Sequence, residues 1–345
     1  IGEKVVHIFG TGENSLMLGL MLVGTILSSV LSNTGTCACL MPVALGICAA
    51  SKNTASRQLL PMAYACGWGG IITLVGTPPN IIGSGALTAA GLPGFSFFEF
   101  AWIGIPLSVA GILYMLLIGK YLLPKAELDA DQEIEQEIEA TTHDKKKQVI
   151  SGVILLACVT VMALNLKFIS LEMTAIIGAL VCVLTGCLTE KQAYSSIDWV
   201  TIFLFAGMMP VSTAMDKTGA GKLIANWAVG LMGGEPTPLI VTIVLFSISC
   251  FLTQFMSNTA SAALLCPIGI AIAKQLNADP KAVVMAIAVA ASCAFATPVG
   301  TPPCTLVLGP GGYKFMDYVK CGTGLVLVCF VVSLIVIPMV WPFFP

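Results

Sequence analysis

Long apolar segments recur along almost the whole chain and limit what it can fold into. Runs of more than about 18 residues, long enough to cross a hydrocarbon core of roughly 30 Å as a helix, continue from Ser15 to the C-terminus. Apolar residues make up 57% of the 345 residues and charged residues only 10%, against about 25% charged in an ordinary soluble domain. The sequence therefore excludes a water-soluble globule and predicts an all-α polytopic membrane protein.

Charge and cysteine content give no sign of a macromolecular partner or a resident metal. The formal net charge of -2 is close to neutral, so we expect no nucleic-acid partner. The 13 cysteines lie mostly inside apolar runs without CxxC spacing, and the chain has only 2 histidines. We interpret the cysteines as small apolar core residues rather than disulfide partners or metal ligands.

Two motifs occur twice at nearly the same separation. The segment from Ser32 to Pro42 recurs as Ser257 to Pro267, with six of eleven positions identical. The segment from Thr73 to Pro79 recurs as Thr297 to Pro303, with six of seven positions identical. Two motifs repeated in almost the same register indicate an internal duplication.

The spans between the copies predict opposite orientations for the two repeats. If each Ser-Asn-Thr segment is a hairpin that enters and leaves by the same face, five spans separate the two hairpins. Because five is odd, the second hairpin enters from the other face, an arrangement typical of secondary transporters. Three spans precede the second motif but only the short segment 1–31 precedes Ser32, so we expect the front of the first repeat to be missing from this chain.

These patterns divide the chain into two repeats and a linker. The charged segment at 125–147 is interpreted as a solvated linker, and its lysines at 145–147 favour the cytoplasmic side. The first repeat at 1–124 is predicted to contain a re-entrant hairpin at 15–50, a broken helix at 57–92 and a helix at 98–123. The second repeat at 148–345 is predicted to contain scaffold helices at 149–232, a re-entrant hairpin at 238–273, a broken helix at 282–308 and a helix at 314–343.

The Ser-Asn-Thr tips are suited to binding an anion. Serine, asparagine and threonine are favoured N-cap residues, so the second arm of each hairpin is predicted to start at the tip. A helix N-terminus carries unpaired N–H groups and the positive end of the helix dipole, which together bind anions. Ser28 and Thr253 each precede the serine of their tip by one helical turn, which places a hydroxyl beside each tip.

The Gly-Thr-Pro-Pro segments are suited to binding a cation. Adjacent prolines break a helix, and broken backbone at membrane depth is tolerated only where it lines a cavity or is buried in protein. The carbonyls freed around Gly76 and Gly300 are hard oxygen ligands that suit sodium.

Charged side chains are missing from three apolar runs of the second half, two of which carry the repeated motifs. The runs 199–215, 239–273 and 283–308 contain no Asp, Glu, Lys, Arg or His. A bound anion would be held by neutral donors and would need bound cations for its counter-charge. The same lack of a base or nucleophile, cysteine thiols aside, argues against an intramembrane enzyme.

At these motifs the sequence resembles the divalent-anion:sodium symporter family, within the ion transporter superfamily that also includes arsenite-efflux permeases. Ser32-Asn33-Thr34 and Ser257-Asn258-Thr259 are similar to the paired signatures of that family. The resemblance implies a homodimer in the lipid bilayer of the cell membrane, with scaffold and transport domains and an elevator-type motion. It also implies Na+ as the co-transported ion and no organic cofactor.

The resemblance also implies ligand sets. It assigns one sodium site to Ser28, Ser32, Asn33 and Gly76, and a second to Thr253, Met256, Asn258 and Gly300. It assigns the substrate carboxylates to Asn33, Thr34, Ser257, Asn258 and Thr259, with Thr77, Thr301 and Pro302 closing the pocket.

One residue departs from the family pattern and bears on specificity. Cys304 follows the second proline pair where the family usually has asparagine, whereas the first half keeps Asn80. The expected function is sodium-coupled symport of small divalent anions, with C4-dicarboxylates such as succinate ahead of other anions. Transport of sulfate or another oxyanion and arsenite-type efflux are the alternatives.

Overall fold

The computed structural model describes residues 12–51, 53–124, 145–164, 169–197 and 237–343, together with isolated positions between 199 and 230. Every regular element among these residues is helical. This confirms the all-α class predicted from the apolar runs. The physical reason is that a helix pairs its own backbone N–H and C=O groups, for which hydrocarbon offers no hydrogen-bond partners. Most of the expected linker and of the span at 198–215 lies outside the described residues.

The described residues of the first half form five main helices. The first is followed by an irregular segment at the predicted hairpin tip, and the third by a 3-10 turn within the predicted broken helix. The fifth continues through a π-turn, Met115–Gly119, to Leu122. The helices are α1 (Glu13–Ser28), α2 (Asn33–Ser51), α3 (Leu59–Gly69), α4 (Pro78–Ala89) and α5 (Ala101–Tyr114).

Among the described residues, the second half repeats this order after three further helices. The last three residues of the predicted linker form the first turn of a helix, as suits lysine with its high helix propensity. The helices are α6 (Lys145–Ala163), α7 (Leu171–Leu184), α8 (Glu190–Ser195), α9 (Pro238–Thr253), α10 (Asn258–Gln275), α11 (Pro280–Ser292), α12 (Pro302–Leu306) and α13 (Phe315–Val340).

Helix length separates two classes. Among the described residues, α2, α5 extended to Leu122, and α13 are long and apolar enough to cross a membrane, with mean hydropathies of 1.6, 2.1 and 2.7. By contrast, α1 and α9 have 16 residues each, about 24 Å at 1.5 Å per residue. The broken segments are shorter still, with 11 residues in α3 and 13 in α11. The re-entrant placement of the short helices stays a prediction.

Two short helices form the centre of the structure. All of α3 is buried, and so is α11 from Ala282 to Ser292. α3 packs against α1, α2 and α5, and α11 packs against α4, α9, α10 and α13. The halves meet at Phe295, whose ring lies edge-on to Tyr64 at 5.4 Å and whose carbonyl accepts a hydrogen bond from the Tyr64 hydroxyl at 2.9 Å. The segments that carry the predicted site thus lie in the most buried part of the chain.

A charged cluster joins the two halves where α11 begins. Lys281 forms an ion pair with Glu99, with 2.7 Å between Nζ and Oε1. Glu99 also accepts hydrogen bonds from the Ser96 N–H at 2.9 Å and from Trp341 Nε1 at 3.1 Å. Burial would raise the pKa of Glu99, but the hydrogen bonds from Lys281, Ser96 and Trp341 outweigh it and lower the pKa below its ordinary value.

Candidate functional site

The polar tips cap the second arm of each hairpin. Ser32 Oγ accepts a hydrogen bond from the Gly35 N–H at 3.1 Å, and Ser257 Oγ accepts one from the Ala260 N–H at 3.2 Å. These side chains satisfy a backbone donor that the helix leaves free. The predicted N-caps are confirmed, and α2 and α10 begin at the tips.

An oxygen cluster lies behind the first tip. One of the two terminal amide atoms of Asn33 faces the cluster and lies 2.7 Å from Ser28 Oγ. Ser28 Oγ is also 2.7 Å from the Cys66 carbonyl oxygen. The same amide atom of Asn33 lies 3.0 Å from the Cys66 carbonyl oxygen and 3.1 Å from the Gly76 carbonyl oxygen. Ser28 is fully buried and Asn33 is half-buried. We call Ser28, Asn33, Cys66 and Gly76 the first oxygen cluster.

A matching cluster lies behind the second tip. Thr253 Oγ1 is 2.7 Å from the amide of Asn258 and 2.6 Å from the Ala291 carbonyl oxygen. The amide atom of Asn258 lies 3.1 Å from the Ala291 carbonyl oxygen and 2.9 Å from that of Gly300. We call Thr253, Asn258, Ala291 and Gly300 the second oxygen cluster. Each member occupies the place of its counterpart in the register of the sequence repeat, so the duplication seen in sequence is also a duplication of contacts.

The asparagine amides fit their clusters in two orientations. With nitrogen inward, the amide donates to the hydroxyl and to both carbonyls. With oxygen inward, the amide oxygen lies within 3.1 Å of three other oxygen atoms, namely the hydroxyl oxygen and the two carbonyl oxygens of its cluster. Oxygen atoms that face one another need a proton or a cation between them. The second orientation therefore suits a bound cation, and the first suits the protein without one.

The backbone members of the clusters are placed by the helix breaks. Cys66 and Ala291 lie in the last turns of α3 and α11, where the negative end of the helix dipole stabilises a cation. A Cβ at Gly76 would collide with the Gly70 carbonyl oxygen, and one at Gly300 would lie 2.8 Å from the Thr253 carbonyl oxygen. Glycine at these two positions is required by the close approach of backbone to backbone.

Each hairpin arm packs against a helix of the other half. α2 packs against α12, and α10 packs against α4, so each hairpin arm contacts the helix that follows the other half's loop. Thr77 and Thr301 are the buried N-cap residues of α4 and α12, with prolines in the first turn. The positive ends of helix dipoles favour an anion there.

The predicted substrate residues differ in their exposure to solvent. Thr34, Ser257 and Pro302 are exposed, whereas Thr259 is half-buried and Thr77 and Thr301 are buried. The exposed hydroxyls lie in or beside the first turns of α2 and α10 and can donate hydrogen bonds to a ligand carboxylate.

Two members of the oxygen clusters could not be predicted from the sequence. The carbonyls of Cys66 and Ala291 were not predicted, because a backbone ligand leaves no side-chain signal. Ser32 and Met256 were also expected as ligands. Ser32 Oγ caps α2 and the N–H of Met256 bonds the Leu252 carbonyl oxygen, and the ligand role of both residues stays a prediction.

Two buried hydroxyls were also missed. Thr36 Oγ1 and Ser261 Oγ, 1% and 0% exposed, lie one turn beyond the tips at matching positions and have no hydrogen-bond partner among the residues that the structure describes. The register of the repeat, which pairs Thr36 with Ser261, was the signal that could have found them. Among the described residues, no group of three His, Cys, Asp or Glu side chains could hold a metal ion.

The family comparison agrees with the motifs. A family model described as "Citrate transporter" (CitMHS) matches residues 1–262 and 160–344. An "Uncharacterized transporter" of Haemophilus influenzae is 36% identical over an alignment of 360 positions, which covers 99% of this chain and 76% of that protein. The "Sodium-dependent dicarboxylate transporter SdcS" of Staphylococcus saprophyticus is 25% identical over an alignment of 381 positions, which covers 99% of this chain and 72% of that protein.

A solved structure shares the fold. The crystal structure of the Alcanivorax borkumensis YdaH transporter matches with a TM-score of 0.63 at 13% sequence identity, covering 94% of this chain and 77% of that one. The sequence and family matches confirm the resemblance inferred from the paired motifs, and they confirm that the chain is akin to transporters rather than enzymes. With its apolar helices, it is an integral membrane protein.

Proposed function

The chain belongs to the citrate transporter family, and we propose that it is a sodium-coupled symporter of small divalent anions, with C4-dicarboxylates such as succinate as its preferred substrates. The observation that carries this proposal is the pair of matching oxygen clusters behind the two capped tips. Each cluster offers a cation neutral oxygen ligands, and each tip offers an anion a helix N-terminus. A device that binds both ions together is what symport requires.

The charge balance of the site explains the coupling. The segments 15–51, 58–98, 239–273 and 283–308 carry no Asp, Glu, Lys, Arg or His, so no side chain supplies a fixed counter-charge. A dicarboxylate held only by neutral donors and partial helix charges would be poorly stabilised in a low-dielectric site. Cations in both clusters supply the missing positive charge, and the anion in turn stabilises the cations. Binding of each ion therefore raises the affinity for the other.

We assign the clusters as the two sodium sites. Ser28, Asn33 and Gly76 with the Cys66 carbonyl form the first, and Thr253, Asn258 and Gly300 with the Ala291 carbonyl form the second. Ser32 and Met256 lie beside the sites rather than in the contacts described. In this assignment, sodium binding turns the amide oxygens of Asn33 and Asn258 inward. Their NH2 groups then point outward as donors for the anion.

The substrate site lies between the two sodium sites. The hydroxyls of Thr34, Ser257 and Thr259 donate to the carboxylates, and Thr77, Thr301 and Pro302 close the pocket. This assignment is supported by the packing of α2 on α12 and of α10 on α4, since each pair joins a hairpin arm of one half to the helix that follows the loop of the other half.

The larger assembly follows from the same assignment. We propose that the two repeats have opposite orientations in the plasma membrane, that the hairpins are re-entrant, and that the protein acts as a homodimer. The segments at 1–124 and 238–345 then supply the transport domain, which moves by an elevator-type motion against scaffold helices at 149–232. The linker at 125–147 lies on the cytoplasmic side.

The comparisons favour carboxylate substrates over other anions. The SdcS relatives are described as sodium-dependent dicarboxylate transporters, which supports succinate. The family is described by citrate, which makes citrate the second candidate. Sulfate transport and arsenite-type efflux rank below both.

The test is uptake of labelled succinate into proteoliposomes under an inward sodium gradient, with potassium as the control cation. We expect sodium-dependent uptake that unlabelled succinate abolishes and that sulfate leaves nearly unchanged. Stronger competition by citrate than by unlabelled succinate would move citrate to first place. Uptake of equal rate in sodium and potassium, or no uptake of either carboxylate, would contradict the proposal.

A further inference from the structure

The two oxygen clusters match, but the loops that carry their glycines are held differently. In the first half, Asn80 is fully buried and its Nδ2 donates to the Thr73 carbonyl oxygen at 2.8 Å and to that of Gly70 at 3.4 Å. Both carbonyls belong to the segment that leads to Gly76. At the position of Asn80 the second half has Cys304, and a thiol cannot make these two bonds.

The second loop is also shorter, by a single position. Five steps along the chain join Trp68 to Thr73, and four join their counterparts Cys293 and Thr297. The first half uses the extra position for a 3-10 turn, whereas α11 ends at Ser292 and the chain leaves the helix directly, with φ -88° and ψ 46° at Cys293. Without that turn, buried backbone groups of the segment need partners from elsewhere.

Gln254 supplies those partners. Its Nε2 donates to the Cys293 carbonyl oxygen at 3.0 Å, and its Oε1 accepts from the Ala296 N–H at 3.0 Å. Its own carbonyl oxygen accepts from Thr297 Oγ1 at 2.7 Å. The matching residue in the first half, Ser29, has its hydroxyl bonded to Ile26 of its own helix. The Ser29 carbonyl oxygen also accepts a hydrogen bond, from Thr73 Oγ1, so only the bonds made by the Gln254 side chain are specific to the second half.

We propose that Gln254 is the positioning residue of the second sodium site and replaces the amide that Asn80 provides in the first. The segment it holds, from Cys293 to Ala296, joins two backbone ligands of the second cluster, Ala291 and Gly300. Fixing that segment fixes the separation of the two carbonyls. The inference rests on the proposed function, because it treats the second oxygen cluster as a sodium site.

Substitution of Gln254 should change the sodium affinity of the second oxygen cluster without changing any of its ligands. Gln254→Met keeps the side-chain volume but removes the hydrogen bonds to Cys293 and Ala296, together with one to the Cys250 carbonyl oxygen of its own helix, and leaves buried backbone groups of the loop unpaired. We expect the half-saturating sodium concentration to rise about tenfold or more. The rate of succinate uptake at saturating sodium should stay within about twofold of wild type, because an occupied site restores the geometry.

A second substitution tests the replacement itself. Adding Cys304→Asn to Gln254→Met returns an amide to the position of Asn80, and we expect it to recover most of the lost sodium affinity. Gln275→Met, at an exposed position near the end of α10, is the matched control and should leave the affinity unchanged. Sodium-dependent rise of the melting temperature of the purified protein measures binding independently of transport.

The outcomes separate this inference from the proposed function. A wild-type protein that responds to sodium, with Gln254→Met retaining the wild-type half-saturating concentration, would overturn the role of Gln254 and leave the function standing. A general loss of thermal stability that Cys304→Asn does not relieve would reduce Gln254 to a packing residue and would also overturn it. A wild-type protein indifferent to sodium would overturn the function and this inference with it.

Discussion

Replacing the cluster asparagines by alanine should weaken sodium binding by a calculable amount. In Asn33→Ala or Asn258→Ala, the cluster loses an amide atom that lies within 3.1 Å of three oxygen atoms. A polar contact to a charged group contributes about 1.5–3 kcal/mol. At about 1.4 kcal/mol per factor of ten, the half-saturating sodium concentration should rise roughly 10- to 150-fold. The matching geometry predicts effects of similar size in both halves.

The assay is a sodium titration of the melting temperature in detergent, with potassium replacing sodium so that the ionic strength stays constant. The same titration of succinate uptake in proteoliposomes links binding to transport. Asn53→Ala is the control, because the amide of Asn53 bonds Ser51 Oγ at the far end of α2. A half-saturating concentration within about threefold of wild type in both cluster variants would refute the assignment of the clusters.

Three further predictions follow from the same geometry. Asn33→Asp keeps an oxygen ligand but adds a charge beside the anion, so sodium-dependent stabilisation should survive while succinate affinity falls by about tenfold or more, as measured by uptake kinetics. Gly76→Ala forces a Cβ into a backbone carbonyl and should abolish uptake, whereas Gly46→Ala, with open space around it, should not. Glu99 has a lowered pKa, so its ion pair with Lys281 should stabilise the protein above about pH 4.5. That contribution should vanish as the pH falls through the lowered pKa, and melting temperatures of wild type and Glu99→Gln should then converge.

Each of these predictions can fail on its own terms. Equal loss of sodium and succinate binding in Asn33→Asp would mean that the amide acts as a donor rather than as an oxygen ligand. Normal uptake by Gly76→Ala would show that the backbone there has room to move. A difference in melting temperature between wild type and Glu99→Gln that stays constant from about pH 7 to about pH 3 would show that the charge of Glu99 does not contribute to stability.

The side-chain members of the site could be predicted from sequence because they are duplicated. Ser28 and Thr253 differ in type, yet their shared position one turn before each tip and their hydroxyl chemistry marked both. The N-caps followed from residue preference alone, since Ser32 and Ser257 precede apolar helices. The all-α class followed from apolar run length and lack of charge.

The remaining members could not be read from residue types. Cys66 and Ala291 contribute carbonyl oxygens, which every residue has, and only the ends of α3 and α11 place them in the clusters. Gln254 could not be found by comparing the repeats, because its counterpart in the first half is Ser29 and the two residues differ in type. Its role depends on a small difference in loop length, whose structural effect appears only when the backbone is traced.

The central claim is that the two oxygen clusters bind sodium and that the anion binds between them. Equilibrium binding of radiolabelled sodium to the purified protein, with saturating succinate, tests it most directly. We expect two sodium ions per chain for wild type and one fewer at the same concentration for either Asn33→Ala or Asn258→Ala. Absence of saturable sodium binding, or a stoichiometry that neither substitution changes, would contradict the account.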